Sequence, residues 1–245
     1  MKSKIGVVIE ARMTSSRLPG KHLLPVLGIP IIGHLINRMR SIPLVDEVVV
    51  AMTMRAEDDV LERYVRTTGV SVFRGDEHDV MGRVLRACLS SQIDIVCEVT
   101  GDCPIIDVDL VTQAIYTYIS NDVCYVNNGK LGLPDGMSCQ VFSTETLRKS
   151  ESMTDDPLDR EHVTLHIKRH PNFFPPIYLV PNKFYYWPGL ALTLDEKDDY
   201  KLLRRIIEFF GHSNPYFGCI EVIDLLRKHP EWIEMNRHIK RKGET

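Results

Sequence analysis

The segment IGVVIEARMTSSRLPGK, residues 5–21, decides the fold of this chain. Its first residues, Ile5 to Ile9, form a short apolar run rich in β-branched side chains. Such a run is typical of a strand that is buried on both faces of a parallel sheet. A polar loop follows the run at once. In an open α/β sheet, ligands bind beyond the carboxyl ends of the strands, so this segment predicts an α/β fold with a binding loop.

Three more apolar runs repeat the pattern of the first strand, at 45–51, 70–73 and 93–99. Amphipathic helical patterns lie between and after these runs, at 31–39, 60–65, 80–88 and 108–119. Strands that alternate with helices in this way imply a sheet with right-handed crossovers. The first half of the chain therefore predicts an α/β fold with a mostly parallel central sheet.

The second half of the chain is less regular. Its pattern predicts short strands within 124–142 around a turn at 129–136, a helix at 159–169, and strands at 177–180 and 190–194. A helix at 197–210 ends at Gly211, and the tail from Ile220 is helical and turns basic after Arg237. We expect that basic stretch to be a solvated helix end. We expect one main domain over 1–212, with 213–245 as a C-terminal helical extension.

Composition excludes several classes of protein. The chain has 245 residues, with 30 Lys and Arg against 33 Asp and Glu, and this balance argues against general nucleic-acid binding. The six cysteines form no CxxC pair, which predicts reduced and mostly buried thiols in a cytoplasmic protein. The longest apolar stretch, 23–36, is too short and too interrupted by Pro and Gly to span a bilayer. The N-terminus also lacks the apolar run of a signal peptide. We expect neither a nucleic-acid nor a membrane partner.

The loop after the first strand carries cations and hydroxyl groups in close succession. These are Arg12, Thr14, Ser15, Ser16, Arg17 and Lys21. Cations together with small residues whose backbone N–H groups are available form a cradle for phosphate groups. The loop lacks the GxxxxGK[ST] pattern of a P-loop. The alternative interpretation is a solvated basic loop without a ligand.

Two carboxylates stand where later predicted strands end. Asp102 lies in TGDCP after the fourth run, and Asp195 lies in TLDEKDD after the predicted strand at 190–194. Carboxylates at such places are suited to holding Mg²⁺ beside a triphosphate. The alternative is that each Asp caps the helix that follows it. Together with the cationic loop, the two carboxylates fit one chemistry, attack on a nucleoside triphosphate.

The motifs ARMTSSRLPGK, TGDCP and TLDEKDD, in this order, resemble those of the cytidylyltransferase family. The similarity is greatest to the branch of spore coat polysaccharide biosynthesis proteins of the SpsF type, which are acylneuraminate cytidylyltransferase-like. The stretches FRGDEHDVMGR (73–83), LPDGMSCQVF (133–142) and DREHVTLHIKRHP (159–171) also match that branch. The resemblance implies a nucleotide-diphospho-sugar transferase fold, which is a Rossmann-like α/β/α sandwich.

The resemblance also implies an activity. Enzymes of this type use CTP and Mg²⁺ to activate a sugar acid of the ulosonic or nonulosonic type. The products are a CMP-sugar, destined for surface polysaccharide, and pyrophosphate. A homodimer is implied as well, with the segment 124–190 contributing to the binding of the acceptor and to dimerisation.

Site residues carry over from the matching motifs. The residues expected to bind the nucleotide are Ala11, Arg12, Ser15, Ser16, Arg17, Lys21, Arg74, Asp79 and Arg83. The expected catalytic residues are Arg12, Arg17, Lys21 and Asp102. The expected metal ligands are Asp102 and Asp195. The residues expected to bind the acceptor are Asp135, Arg160, Glu161 and His162; the alternative for 159–161 is a helical turn with local ion pairs.

Two departures from the family pattern concern the base and the acceptor. Position 10 is Glu, where relatives more often have Gln or Pro, and the Asp102 motif is GDCP rather than GDEP. Three other functions stay open: transfer from another triphosphate to a sugar 1-phosphate, glycosyl transfer from an NDP-sugar, and nucleotide sensing without catalysis. A glycosyltransferase more usually carries a DxD metal motif. We expect the nearest such pattern, which begins at Asp107, to cap a helix.

Overall fold

A seven-stranded sheet forms the centre of the computed structural model, which describes residues 2–129 and 132–241. The strands are β1 Ile5–Glu10, β2 Pro25–Val26, β3 Ile29–Pro30, β4 Glu47–Thr53, β5 Ser71–Gly75, β6 Ile95–Thr100, β7 Tyr125–Asn127, β8 Gln140–Ser143 and β9 Pro176–Tyr178. Strands β2 and β3 form a separate two-stranded hairpin. The order in the sheet is β5-β4-β1-β6-β8-β7-β9. Strands β5, β4, β1 and β6 are parallel, and β8 is antiparallel to both of its neighbours. The expected mostly parallel sheet is confirmed.

Helices cover both faces of the sheet. They are α1 Ile31–Arg40, α2 Asp59–Thr67, α3 Val80–Ser90, α4 Val108–Ile119, α5 Thr144–Glu151, α6 Pro157–Glu161, α7 Leu165–Arg169, α8 Lys197–Phe210, α9 Cys219–Lys228 and α10 Pro230–Ile233. Val7 and Ile9 point to the face covered by α1, α2 and α4, whereas Val8 points to the face covered by α3, α5 and α7. Burial on both faces explains why the strands appear as continuous apolar runs. The α/β/α sandwich is confirmed.

A further apolar cluster lies beside the sheet. It joins α8, α9 and α10 to the β2–β3 hairpin and to the segment 190–194, through buried residues such as Leu192, Leu203, Val222 and Trp232. The helices after residue 213 are therefore packed against α8. This packing brings the end of the described chain back towards the sheet.

Two expectations for the second half are wrong. The predicted helix at 159–169 is two short helices, α6 and α7, because Val163 and Thr164 between them are buried and the Thr164 hydroxyl contacts Gln140 of β8. The predicted strand at 190–194 forms only one bridge, between Ala191 and Asp135. Its Leu194 amide instead donates to the Asp102 carbonyl at 2.8 Å. Residues 130 and 131 of the predicted turn, and 242–245 of the tail, lie outside the described residues.

The cysteines are as expected. All six are free, and all except the half-buried Cys124 are buried. Among the helices of residues 2–129 and 132–241, none has both the length and the apolar character needed to cross a membrane.

Candidate active site

A cleft of about 830 Å³ opens at the carboxyl ends of β1 and β6. Its lining residues come from the loop after β1, the loop between β5 and α3, the turn after β6, and helix α6. They are Glu10, Ala11, Arg12, Ser15, Ser16, Arg17, Lys21, His22, Asp76, Glu77, His78, Asp79, Val80, Arg83, Thr100, Gly101, Asp102, Asp155, Pro157, Arg160, Glu161, His162 and Asp195. The cleft therefore lies at the edge where an open α/β sheet binds ligands.

The loop of residues 11–21, which we call the cationic loop, is held at both of its ends. The backbone amide of Met13 donates to Asp58 Oδ1 at 2.6 Å, and Asp58 is itself fully buried. The Thr14 hydroxyl donates to Glu77 Oε1 at 3.1 Å. At the other end, Gly20 has φ of +73° and donates its amide to the Met13 carbonyl at 3.0 Å. That left-handed turn favours Gly, and it directs Lys21 back towards the sheet.

Lys21 is a buried cation of the site. Its Nζ donates to the Leu194 carbonyl at 2.6 Å and lies 3.4 Å from both Asp102 Oδ2 and Asp195 Oδ1. The side chain of Lys21 is 9 % exposed, so its charge is poorly screened. One ammonium thus connects two carboxylates that are far apart in the sequence.

Asp195 is surrounded by donors. Arg17 Nη2 lies 2.6 Å from Asp195 Oδ1, and the Thr193 hydroxyl donates to Asp195 Oδ2 at 3.2 Å. Asp195 is not a helix cap, because Glu196 and Asp199 form the capping box of α8. The carboxylate of Asp195 is therefore available to the cleft and not used by the backbone of the helix.

Asp102 is also free of a capping role. Helix α4 begins at Val108 and is capped by Asp107, whose Oδ1 accepts the amides of Asp109 and Leu110. The expectation that Asp107 caps a helix is confirmed, and the pattern that begins there does not line the cleft. Burial opposes ionisation of Asp102, but the nearby charge of Lys21 outweighs it and lowers the pKa of Asp102 below its usual value.

Gly101 allows the ends of β1 and β6 to come together. A Cβ atom at this position would lie 2.6 Å from the Glu10 carbonyl and 2.9 Å from His22 Cε1. The Gly101 amide donates to the same carbonyl at 2.8 Å. The close approach fixes Asp102 next to the start of the cationic loop.

Glu10, which lines the cleft, lies next to the buried carboxyl group of Glu98. The two groups are hydrogen-bonded to each other, and Glu98 is 5 % exposed. Apart from that contact, Glu10 Oε1 and Glu98 Oε2 have no hydrogen-bond partner among the described residues. Burial, followed by the opposite carboxylate, raises the pKa of Glu10 well above its usual value, and burial raises the pKa of Glu98. Two buried carboxyl groups in contact disfavour the state in which both are ionised.

The opposite wall of the cleft is built from ion pairs. Arg160 Nη1 lies 3.1 Å from Glu151 Oε1 and 3.4 Å from Asp79 Oδ1. Asp79 also caps α3, by accepting the amide of Gly82 at 2.9 Å. Glu161 and His162 are exposed and face the same space.

The structure brings most of the predicted site residues together. Those that line the cleft are Ala11, Arg12, Ser15, Ser16, Arg17, Lys21, Asp79, Arg83, Asp102, Arg160, Glu161, His162 and Asp195. Two do not line it. Arg74 points away from the cleft, because its Nη1 contacts Glu62 at 2.5 Å and Asp59 at 2.8 Å. Asp135 accepts a hydrogen bond from the Thr193 hydroxyl at 3.4 Å, and burial, together with the nearby charges of Asp102 and Asp195, raises its pKa.

Three residues of this region were missed by sequence reasoning. His22 directly follows the recognised motif; burial and the charge of Lys21 lower its pKa to about 4. Glu98 lies inside an apolar run, and a single carboxyl group in such a run is a signal that could have indicated it. Arg241 belongs to the basic tail, but its side chain is only 11 % exposed, so the expectation of a solvated helix end is wrong for this residue. It folds back on Asp199, and no short-range pattern could have indicated that contact.

The donor atoms of the cleft suit a hard cation. Within the residues that the structure describes, no three His, Cys, Asp or Glu side chains gather as a metal cluster. Mg²⁺ does not need such a cluster, because it usually takes one or two carboxylates and completes its shell with water and substrate phosphates. Asp102 and Asp195 provide two carboxylates, and both lie 3.4 Å from the Lys21 ammonium.

A family model described as cytidylyltransferase matches residues 6–204 of the chain. The chain belongs to the cytidylyltransferase family. It is therefore an enzyme of the nucleotidyltransferase class, as the sequence motifs predicted.

Relatives of this cytidylyltransferase agree with the assignment. The spore coat polysaccharide biosynthesis protein SpsF of Bacillus subtilis is 29% identical over 230 residues, which are 91% of this chain and 94% of the relative. A 3-deoxy-manno-octulosonate cytidylyltransferase of Geobacter metallireducens is 30% identical over 155 residues, which are 61% of this chain and 59% of the relative. A solved cytidylyltransferase structure from Leptospira borgpetersenii superposes with a TM-score of 0.90 at 31% identity, covering 98% of this chain and all of that one.

Proposed function

We propose that this enzyme transfers the cytidylyl group of CTP to a sugar acid of the ulosonic or nonulosonic type, with Mg²⁺, and releases pyrophosphate. The observation that carries the proposal is the meeting of the cationic loop with Asp102 and Asp195 in one cleft. The names of the relatives, which concern spore coat polysaccharide and 3-deoxy-manno-octulosonate, support the class of acceptor.

The reaction needs no covalent bond to the protein. A hydroxyl oxygen of the acceptor attacks the α-phosphorus of CTP, the bond between the α-phosphorus and its bridging oxygen breaks, and pyrophosphate leaves. The proton of the hydroxyl group is lost to the surrounding water. Arg17 and Lys21 would stabilise the negative charge that builds up on the leaving group. Their rigid supports, Asp195 and the Leu194 carbonyl, keep both cations oriented before the substrate arrives.

Asp102 and Asp195 would hold the divalent cation. When bound, that cation would neutralise charge on the triphosphate. The lowered pKa of Asp102 keeps this ligand ionised at neutral pH. The acceptor would lie against Arg160, Glu161 and His162, which form the other wall of the cleft.

Pyrophosphate release tests the proposal. The purified enzyme is incubated with Mg²⁺, each of CTP, UTP, GTP and ATP, and a panel of sugar acids and sugar 1-phosphates. We expect release only from CTP with a sugar acid, the mass of a CMP-sugar in the product, and no release in EDTA. Release from another triphosphate with a sugar 1-phosphate would overturn the proposal. Transfer of sugar from an NDP-sugar without pyrophosphate would do so as well.

We also propose that the enzyme acts in the cytoplasm as a homodimer. The six free thiols support a reducing compartment. Large apolar side chains at Phe173, Val180, Phe184 and Tyr186, all within 124–190, are more than half exposed and support an interface there. Light scattering should give about twice the chain mass of 28.1 kDa. A mass equal to that of one chain would overturn the dimer.

A further inference from the structure

Arg241, near the end of the described chain, contacts a buried carboxylate behind the cleft. Its two terminal nitrogens lie 3.0 Å and 2.7 Å from the two oxygens of Asp199. Asp199 is fully buried. A paired contact of this kind between a guanidinium and a carboxylate fixes both partners in direction as well as in distance.

Asp199 in turn holds the backbone of the proposed metal ligand. Its Oδ2 accepts the amide of Asp195 at 3.1 Å and the amide of Glu196 at 2.8 Å. Its Oδ1 accepts the side-chain amide of Asn236 at 2.8 Å. Every oxygen of the buried carboxylate is thus engaged, and one of its partners is the main chain of Asp195.

Arg241 also approaches the side chain of Asp195 directly. Its Nη1 lies 3.7 Å from Asp195 Oδ2, on the side of the carboxylate opposite to Arg17, which lies 2.6 Å from Oδ1. The side chain of Asp195 is 13 % exposed. Two guanidinium groups therefore bracket this carboxylate.

We propose that Arg241 is a positioning residue, which orients Asp195 towards the divalent cation by holding Asp199 and by limiting the rotation of the Asp195 carboxylate. This inference rests on the proposed function. Groups that hold a metal ligand from behind typically change metal affinity 10- to 100-fold when they are altered. Arg241 then supports the active site although it is not one of the residues that line the cleft.

A role of Arg241 through charge alone and a positioning role predict different effects on metal binding. A cation close to a metal ligand disfavours a second cation there, so a purely electrostatic role for Arg241 would weaken metal binding. If Arg241 acted by charge alone, a substitution that keeps the charge would leave metal binding unchanged, whereas a positioning role predicts weaker metal binding. Lysine at position 241 makes that separation, because an ammonium is a single point of charge and cannot form the paired contact.

The test compares Arg241→Lys with Arg237→Lys. Arg237 is exposed and pairs only with Glu234 among the contacts of the described residues, at 2.8 Å. Mn²⁺ binding is measured by electron paramagnetic resonance with CTP present and the acceptor absent, so that no turnover occurs. We expect about 10-fold weaker Mn²⁺ binding for Arg241→Lys, with wild-type affinity for Arg237→Lys. CTP affinity in EDTA should stay unchanged in both variants.

Asp199→Asn is the second variant, because it keeps the shape of the side chain and breaks the charged pair. It should also weaken Mn²⁺ binding, and circular dichroism shows whether both variants fold. Wild-type Mn²⁺ affinity in a folded Arg241→Lys protein would overturn the positioning role and leave the proposed function intact. Failure of the wild-type enzyme to bind Mn²⁺ with CTP would instead overturn the proposed metal site, on which this inference rests.

Discussion

Two pairs of acidic residues at the cleft differ in the partners that balance their charge. Beside the cationic loop, the carboxylates Asp102 and Asp195 each contact a cation. Glu10, which also lines the cleft, contacts the buried Glu98, and burial raises the pKa of both carboxyl groups. The first arrangement keeps fixed charges in place for a triphosphate and a divalent cation. The second arrangement has a charge that depends on pH.

We expect the largest effect at the pair with fixed charges, Asp102 and Asp195. Asp102→Asn removes one proposed metal ligand and the partner of Lys21, so we expect a loss in kcat of about 10²–10³-fold, measured as pyrophosphate release. Asp109→Asn is the control, because Asp109 is an exposed carboxylate near the start of α4. Wild-type turnover in Asp102→Asn with Mg²⁺ would contradict the metal assignment.

Arg17→Lys should have the second largest effect. Lysine keeps the charge but loses the planar donor geometry that Arg17 uses towards Asp195. We expect KM for CTP to rise about 10-fold, the cost of one charge-assisted contact. Arg66→Lys, on the exposed face of α2, should leave KM unchanged. An unchanged KM in Arg17→Lys would show that the fixed charges do not hold the triphosphate.

Glu98→Gln should change the pH dependence of stability. Because the pKa of Glu98 is raised in the folded protein, the folded state binds more protons than the unfolded state above the ordinary pKa of about 4.5. The free energy of unfolding therefore falls as pH rises from the ordinary pKa through the raised pKa of Glu98. Removing Glu98 should raise the free energy of unfolding at pH 8 and flatten its fall with pH.

Urea denaturation at pH 5 and pH 8 measures this effect, with Glu145→Gln on α5 as the exposed control. The charged groups that face Glu98 are Glu10, His162 and Lys168. Glu10→Gln should give a change of the same sign, because either substitution removes one of the two carboxyl groups. A pH profile parallel to that of the wild-type enzyme would contradict the raised pKa of Glu98.

Arg74→Gln should have the smallest effect on activity. Arg74 contacts Asp59 and Glu62 of α2 and lies outside the cleft. We expect KM for CTP within about 2-fold of the wild-type value, with a loss of about 1 kcal/mol in unfolding free energy from the broken ion pairs. Steady-state kinetics and urea denaturation separate the two results. A large rise in KM for CTP would show that Arg74 takes part in binding the nucleotide.

The first half of the chain could be predicted because its signals are local. The runs at β1, β4, β5 and β6 are apolar because both of their faces are buried, and the helices between them carry regular stripes. The cationic loop and Asp102 could be placed because each comes directly after a predicted strand in the sequence. Their meeting in space is a property of parallel strands and needs no further information.

The second half could not be predicted in the same way, because its structure depends on distant contacts. The break between α6 and α7 follows from the contact of Thr164 with Gln140, and the segment 190–194 pairs with loops and not with a strand. Arg74 was placed in the site by a matching motif, which does not show where a side chain points. Arg241 is 42 residues from Asp199, and only the packing of α9 and α10 brings them together.

Stabilisation by CTP is the most direct test of the central claim, that one cleft binds CTP through the cationic loop, Asp102 and Asp195. Thermal and urea denaturation are measured for the wild-type enzyme and Asp102→Asn, with CTP in Mg²⁺ and in EDTA. CTP at about 100 times its Kd should stabilise the wild-type enzyme by about 2.7 kcal/mol. Most of that gain should be lost in EDTA and in Asp102→Asn. Equal stabilisation of both proteins in Mg²⁺, or none in either, would contradict the account.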